Sequence, residues 1–167
     1  MKKKKKKSAK NNKKKVVKKL VPQAATALEN EFFLETSWIL TSIFEAKLRR
    51  ILTMLTRVKP GTGFGLQKCL QRIKLLYLKG THPLLIKHIE IRLIDDLRTW
   101  KNHRNSIYQD IRDIHVSPRR IKRMAEEGIV LHQELVTVYN NLKKDWKRDL
   151  VKDSPLPVKI NEQTAQN

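Results

Sequence analysis

The stretch Leu93-Ile94-Asp95-Asp96-Leu97-Arg98-Thr99-Trp100-Lys101-Asn102-His103-Arg104-Asn105-Ser106-Ile107-Tyr108-Gln109-Asp110-Ile111 decides the fold. Leu93, Leu97, Trp100, Arg104, Ile107, Ile111 and, just beyond, Ile114 recur at alternating steps of four and three, which keeps them on one face of an α-helix. All of them are apolar except Arg104. A guanidinium stays charged and is costly to bury alone, so the stripe predicts that Arg104 meets either a carboxylate or a polar cleft. Asp96, eight residues earlier on the same face, is the candidate partner within the helix. The neighbours His103 and Asn105 place an imidazole and an amide on the same turn as the cation.

Working outward, the same periodicity extends over most of the chain. Phe33, Leu40, Phe44, Leu48, Ile51 and Leu55 keep helical spacing through one long element expected over about 24 to 57. Pro60, Gly61 and Gly63 end it. A shorter helix follows, with Leu66, Cys69, Leu70, Ile73, Leu76 and Tyr77 on its inner face, and Gly80 to Pro83 closes it. The third helix, expected over about 83 to 112, carries the Arg104 stripe. Ser117-Pro118 reads as an N-cap followed by Pro at the first helical position of a fourth helix, about 118 to 150. There is neither a strand signal nor an internal repeat. The expectation is an all-α protein, an antiparallel four-helix bundle over residues 22 to 150.

The charge is unevenly spread. The chain has 167 residues with 37 Lys and Arg against 16 Asp and Glu, a formal net charge of +21. Residues 1 to 20 contain Lys2, Lys3, Lys4, Lys5, Lys6, Lys7, Lys10, Lys13, Lys14, Lys15, Lys18 and Lys19 and no acidic residue. Such an arm has too little apolar surface to offset the entropy of ordering, so it is expected to be disordered, as is the tail from 151 to 167. Its natural partner is RNA or another polyanion, bound without regard to sequence through counterion release. The arm has no aromatic residue and so offers no base stacking. A solubilising tail, or a nuclear address in a eukaryotic host, is the alternative reading of the same lysines.

Several classes of function are disfavoured. Val16, Val17, Leu20 and Val21 are interrupted by Lys18 and Lys19 and do not form the apolar run of a secretory signal. No run approaches the roughly 20 apolar residues of a membrane span. A single cysteine, Cys69, allows neither an intrachain disulfide nor a cysteine-based metal site. The expected location is the cytoplasm, with no membrane partner, no metal and no cofactor. Gly61-Thr62-Gly63-Phe64-Gly65 lacks the preceding strand and the Lys-Ser/Thr ending of a phosphate loop, and reads as a helix-to-helix turn. The carboxylate pairs Asp95-Asp96 and Glu126-Glu127 have no evident acid-base partner. Of His82, His88, His103, His115 and His132, none shows metal-ligand spacing with a Glu between, and surface or capping roles are expected for all but His103.

What remains is the turn holding His103, Arg104 and Asn105. Metal-free RNA cleavage needs a group to act on the 2′-hydroxyl and a cation at the scissile phosphate, which a His and an Arg can supply together. The opposing reading is that Arg104 pairs with Asp96 or another carboxylate while His103 lies in solvent. The long first helix, with Phe44-Glu45-Ala46-Lys47-Leu48-Arg49-Arg50-Ile51-Leu52, followed by the run from Leu93 to Asn105, resembles the HEPN superfamily over roughly residues 25 to 150. That resemblance implies an all-helical bundle, usually a homodimer. It often implies a metal-independent endoribonuclease of toxin-antitoxin, phage-defence or RNA-processing systems, with a possible protein partner. The family's signature is an Arg followed by a polar residue, then a His after four to six intervening positions. Arg104-Asn105 fits the first half, whereas Gln109, Asp110 and Ile111 stand where the His is expected. Arg98 and His103 have the formal spacing, but Thr99 follows Arg98; His115 lies beyond the spacing. The resemblance thus implies either a catalytically silent RNA-binding scaffold or a ribonuclease with Arg104, His103 and Asn105 at its site and Asp96 and Arg98 flanking it.

Overall fold

Every described segment of regular structure is helical. The computed structural model describes residues 19–61, 63–112 and 116–152. The order is α1 over 19–29, α2 Phe33–Thr56, α3 Leu66–Leu78, α4 Pro83–His88, α5 Ile91–Arg112 and α6 Pro118–Lys152. The lysines from Lys2 to Lys15 and most of the C-terminal tail lie outside the described residues. Lys19 and Leu20, assigned above to the arm, already belong to α1, and α6 continues past 150 to Lys152.

Two of the expected helices are each divided in two. The first breaks at Asn30–Phe32, where Glu31 adopts a left-handed conformation (φ 62°). The Phe32 N–H donates to the Ala27 carbonyl (2.7 Å) and the Glu31 N–H to that of Leu28 (3.0 Å). This is the paired reverse bonding that caps a helix C-terminus, usually built on glycine. The third expected helix breaks at Ile89, which is extended (φ −112°, ψ 117°). The bend lets both Leu85 and Ile89 enter the core. Beside it the buried Asp145 carboxylate of α6 accepts from Lys87 Nζ and His88 Nε2, each at 2.8 Å, and pairs with Arg148. The start of α6 is as expected: Ser117 Oγ accepts the Arg120 N–H at 3.3 Å, with Pro118 at the first helical position.

Contacts between helices fix their directions. Along α2 and α6, Phe33 meets Lys122, Phe44 meets His132 and Lys47 meets Tyr139, so these two helices run parallel. Against α5 the order reverses: Leu34 meets Tyr108 and Phe44 meets Trp100 on α2, while Arg120 meets Asp110 and Glu134 meets Arg92 on α6. The shorter α3 packs against both α2 and α5, its start held by the Arg49 Nε bond to the Phe64 carbonyl (2.8 Å) and its second half by Lys74–Asp95 (2.5 Å). A strictly alternating up-and-down order is therefore not what the contacts give. With α3 at 13 residues and α4 at 6, neither returns the chain over the full length of its neighbours.

The core is a single apolar cluster, in which Leu40, Phe44, Leu48 and Ile51 of α2 pack with Leu93, Leu97, Trp100 and Ile107 of α5. Its centre is Trp100, 2% exposed. The Trp100 ring meets Phe44 edge-on (5.1 Å between centroids, 88°), and its Nε1–H donates to the Met124 carbonyl at 2.8 Å. Gly128 makes room for it. A Cβ there would lie 2.9 Å from Trp100 Nε1, 3.0 Å from its Cε2 and 2.8 Å from Leu40 Cδ1.

Two substitutions should move stability in opposite directions. Gly128→Ala gains helix propensity of about 1 kcal/mol. It should nonetheless lose about 1–2 kcal/mol net, because overpacking against a ring fixed by its hydrogen bond typically costs ~1–3 kcal/mol. Glu31→Gly should gain about 0.5–1 kcal/mol by relieving the left-handed residue. Urea unfolding midpoints measure both, and a Gly128→Ala protein as stable as the parent would contradict the close approach of α6 to Trp100.

Candidate functional site

The α5 stripe packs as its spacing requires. Leu93, Leu97, Trp100 and Ile107 are buried and Ile111 is partly so, while Ile114 lies outside the described residues. Arg104 sits among them, half-buried, and the structure resolves its charge in a way the sequence reading did not include. No carboxylate lies within ion-pair reach of it among the described residues. Its guanidinium carbon instead stands 4.7 Å from the centroid of the Tyr108 ring, one turn on, and 5.8 Å from that of Trp38 on α2. Both fall within the range in which an aromatic face attracts a cation, by about 0.5–2 kcal/mol depending on desolvation. Nη1 donates to Asn105 Oδ1 at 3.2 Å, and the buried Nε has no hydrogen-bond partner.

The aromatic pair is itself held in place. The Tyr108 hydroxyl donates to the Leu34 carbonyl (3.1 Å) and lies 3.0 Å from Ser37 Oγ, a fully buried serine that also donates to Leu34 O (2.8 Å). Trp38 meets the Tyr108 ring edge-on at 6.3 Å. The Trp38 side chain is nonetheless 61% exposed. It lies off the buried face of α2 that carries Leu40, Ile43, Phe44 and Leu48, toward the N-terminal end of the α2–α5 seam. Arg104 thus interrupts the apolar stripe where α5 comes level with this exposed indole.

The other candidates are arranged differently. His103 and Arg104 are consecutive on a helix and so point about 100° apart. His103 faces α6, with Nδ1 3.7 Å from Glu127 Oε2, and Glu127 also accepts from Arg123 Nε at 2.9 Å. Asn105 stays with Arg104. Asp96 does not meet it: its carboxylate pairs with Arg92 (2.8 Å), which also bonds Glu134 (2.9 Å). Arg98 is exposed and lines a shallow, mainly apolar cavity between α3 and α5 with Gln67, Leu70, Lys74 and Leu78. The structure therefore brings Arg104 and Asn105 together with Trp38 and Tyr108, and leaves Asp96 and Arg98 about two turns away. Lys2 to Lys7, Lys13 to Lys15 and His115 lie outside the described residues.

Trp38 and Tyr108 are the members that sequence reading missed. Trp38 was legible as a large aromatic off the helical stripe of its own element, and Tyr108 as the residue four positions after Arg104, on the same face. Among the described residues there is no cluster of His, Cys, Asp or Glu that could hold a metal ion, and no helix is long and apolar enough to cross a membrane. Comparison with family models, curated proteins and solved structures gives no match to this chain.

Four further groups have shifted acidities. Burial pushes the Cys69 thiol up to about 11, so it stays protonated at neutral pH. His132, expected to lie at the surface, is buried between α2 and α6, and its Nε2 has no hydrogen-bond partner. Burial, and then the Lys47 charge, lower its pKa; Lys47 is in turn lowered by its own burial and by Arg50. Burial, with Lys87 and Arg148 nearby, also lowers His88, whose Nε2 lies 2.8 Å from Asp145 Oδ2.

A pH dependence follows. Both imidazoles have folded-state values below the ordinary 6.5, so the unfolded chain takes up protons first. Stability should be full above about pH 6.5 and fall as pH drops from there through the folded-state values. Urea midpoints measured between neutral and mildly acidic pH should show this decline, and His132→Leu should flatten part of it, leaving the His88 share. An identical decline in the His132→Leu protein would rule out the buried imidazole as a contributor.

Proposed function

We propose that this chain is a HEPN-like helical protein that binds RNA without cleaving it. In this reading α2, α3, α5 and α6 form the four-helix bundle of that superfamily, and two copies associate as a homodimer whose interface includes α5 near Arg104 and leaves the exposed Trp38 side of the guanidinium open. The observation that carries the reading is the state of Arg104. It is a permanent cation, held by two aromatic faces and an amide, with no carboxylate to neutralise it among the described residues. A cation kept available in this way suits a phosphate, and the surplus of basic residues along the chain supplies attraction at longer range. The Lys-rich arm adds sequence-independent contacts.

Binding without cleavage is favoured by His103. A base acting together with Arg104 would have to face the same phosphate, whereas His103 is directed at Glu127 on α6. The ribonuclease alternative, of toxin-antitoxin or phage-defence type, requires His103 to leave that contact or a second copy to bring its own His103 to the Arg104 side.

The two readings separate in solution. Removing residues 2 to 19 should weaken RNA binding and flatten its salt dependence, since each phosphate contact contributes a slope of roughly 0.7 to 0.9 in log K against log salt. Arg104→Ala should weaken binding with little change in that slope beyond one contact, and His103→Ala should change it little. Metal-free incubation of the purified protein with RNA should give no cleavage. Cleavage that is lost in both Arg104→Ala and His103→Ala would establish the ribonuclease instead.

A further inference from the structure

We propose that Trp38, Arg104 and Tyr108 form a platform for single-stranded nucleic acid, with an unpaired base stacking on Trp38 and an adjacent phosphate taken by Arg104. The proposal rests on the RNA-binding reading above and adds the class of strand and the group that recognises it. Three observations lead to it. The first is that an indole is left mostly in water although an apolar core lies one helix face away. Such a ring is a stacking surface for any base, because every base has a π-face. The second is that the ring lies against an anchored neighbour. It contacts Tyr108 edge-on, and Tyr108 is tied to Leu34 and Ser37 across the α2–α5 seam. A base stacking there would have the hydrogen-bonded Tyr108 behind the indole, which lowers the cost of ordering the platform.

The third observation is the charge beside it. Arg104 approaches both rings and holds an unpartnered buried Nε. Lys101, one turn earlier on α5, bonds only the side-chain oxygen of Asn102 (3.3 Å) and has no carboxylate partner among the described residues. An exposed aromatic with one unneutralised cation over its ring, and a second one turn away along α5, fits a strand that alternates bases with phosphates. Duplex RNA offers phosphates but keeps its bases stacked inside, so it would use the cations and not Trp38. Arg104 therefore contributes to either strand form, and Trp38 selects the single strand.

The test uses the full chain, a short oligouridylate and a duplex RNA, with affinity read by fluorescence anisotropy. Helix content of each variant is checked by circular dichroism, and Trp38 is exposed enough that its replacement leaves the core intact. Trp38→Ala should weaken oligouridylate binding roughly 5- to 150-fold, the range that corresponds to stacking losses of ~1–3 kcal/mol per base. Duplex affinity should fall far less, because Arg104 keeps its Tyr108 face and its Asn105 bond, and Trp38→Phe should restore most of the oligouridylate loss. If oligouridylate still binds and Trp38→Ala leaves its affinity unaltered, the stacking platform is wrong while the RNA-binding reading stands. If the parent protein binds neither RNA, both fall. A Trp38→Ala protein that changes from dimer to monomer in sedimentation while keeping its oligouridylate affinity would make this face a contact between copies and overturn the proposal.

Discussion

The fold depends on one indole. Trp100 occupies the point where α2, α5 and α6 converge, its ring edge-on to Phe44 and its N–H bonded to the Met124 carbonyl. That bond matters because a buried indole N–H left unpaired would cost about 1–3 kcal/mol. The approach it requires is possible only because α6 carries Gly128 where any other residue would place a Cβ within 3 Å of the ring. This glycine is needed for its lack of a side chain, in the middle of a helix whose propensity it lowers. With Trp100 locked, the register of α5 against both long helices is set, and so is the direction in which the rest of the stripe, Arg104 included, must face.

Much of this was legible in the sequence, and the exceptions have physical causes. The spacing from Leu93 to Ile111 gave the buried face of α5, and Ser117-Pro118 gave the start of α6, because both are local signals of one element. The breaks at Glu31 and Ile89 were not legible. Glu31 caps α1 in a conformation normally left to glycine, and Ile89 bends the chain to gain burial that only the tertiary fold supplies. Helix directions were also beyond reach: nothing local states that α3 and α4 are too short to return the chain, so that α2 and α6 come to lie parallel. His132 is a similar case, since its burial depends on which face of α6 meets α2.

Around Arg104, the sequence marked an anomalous residue but not the groups that surround it. Arg104 was marked by being charged on an apolar stripe, and periodicity alone offered Asp96 as its partner. Spacing along one helix cannot register what a neighbouring helix contributes. Asp96 is drawn to Arg92 one turn away, while Trp38 and Tyr108 take the guanidinium. This outcome shifts the chemistry. A carboxylate would have cancelled the charge and made Arg104 structural, whereas aromatic faces hold the side chain and leave the charge unneutralised. His103, one residue earlier, is turned to Glu127, which separates the imidazole from the cation that a cleavage mechanism would pair with it.

The central claim is that Arg104 is a held, unneutralised cation that meets phosphate. It is tested most directly by nitrogen-resolved NMR of the arginine side chains, following the Arg104 guanidinium as a short single-stranded RNA is titrated into the full-length protein. The account predicts that the Arg104 signals shift progressively and saturate together with binding, while those of Arg92, engaged with Asp96 and Glu134, stay in place. Saturated RNA binding with the Arg104 signals unmoved would contradict it.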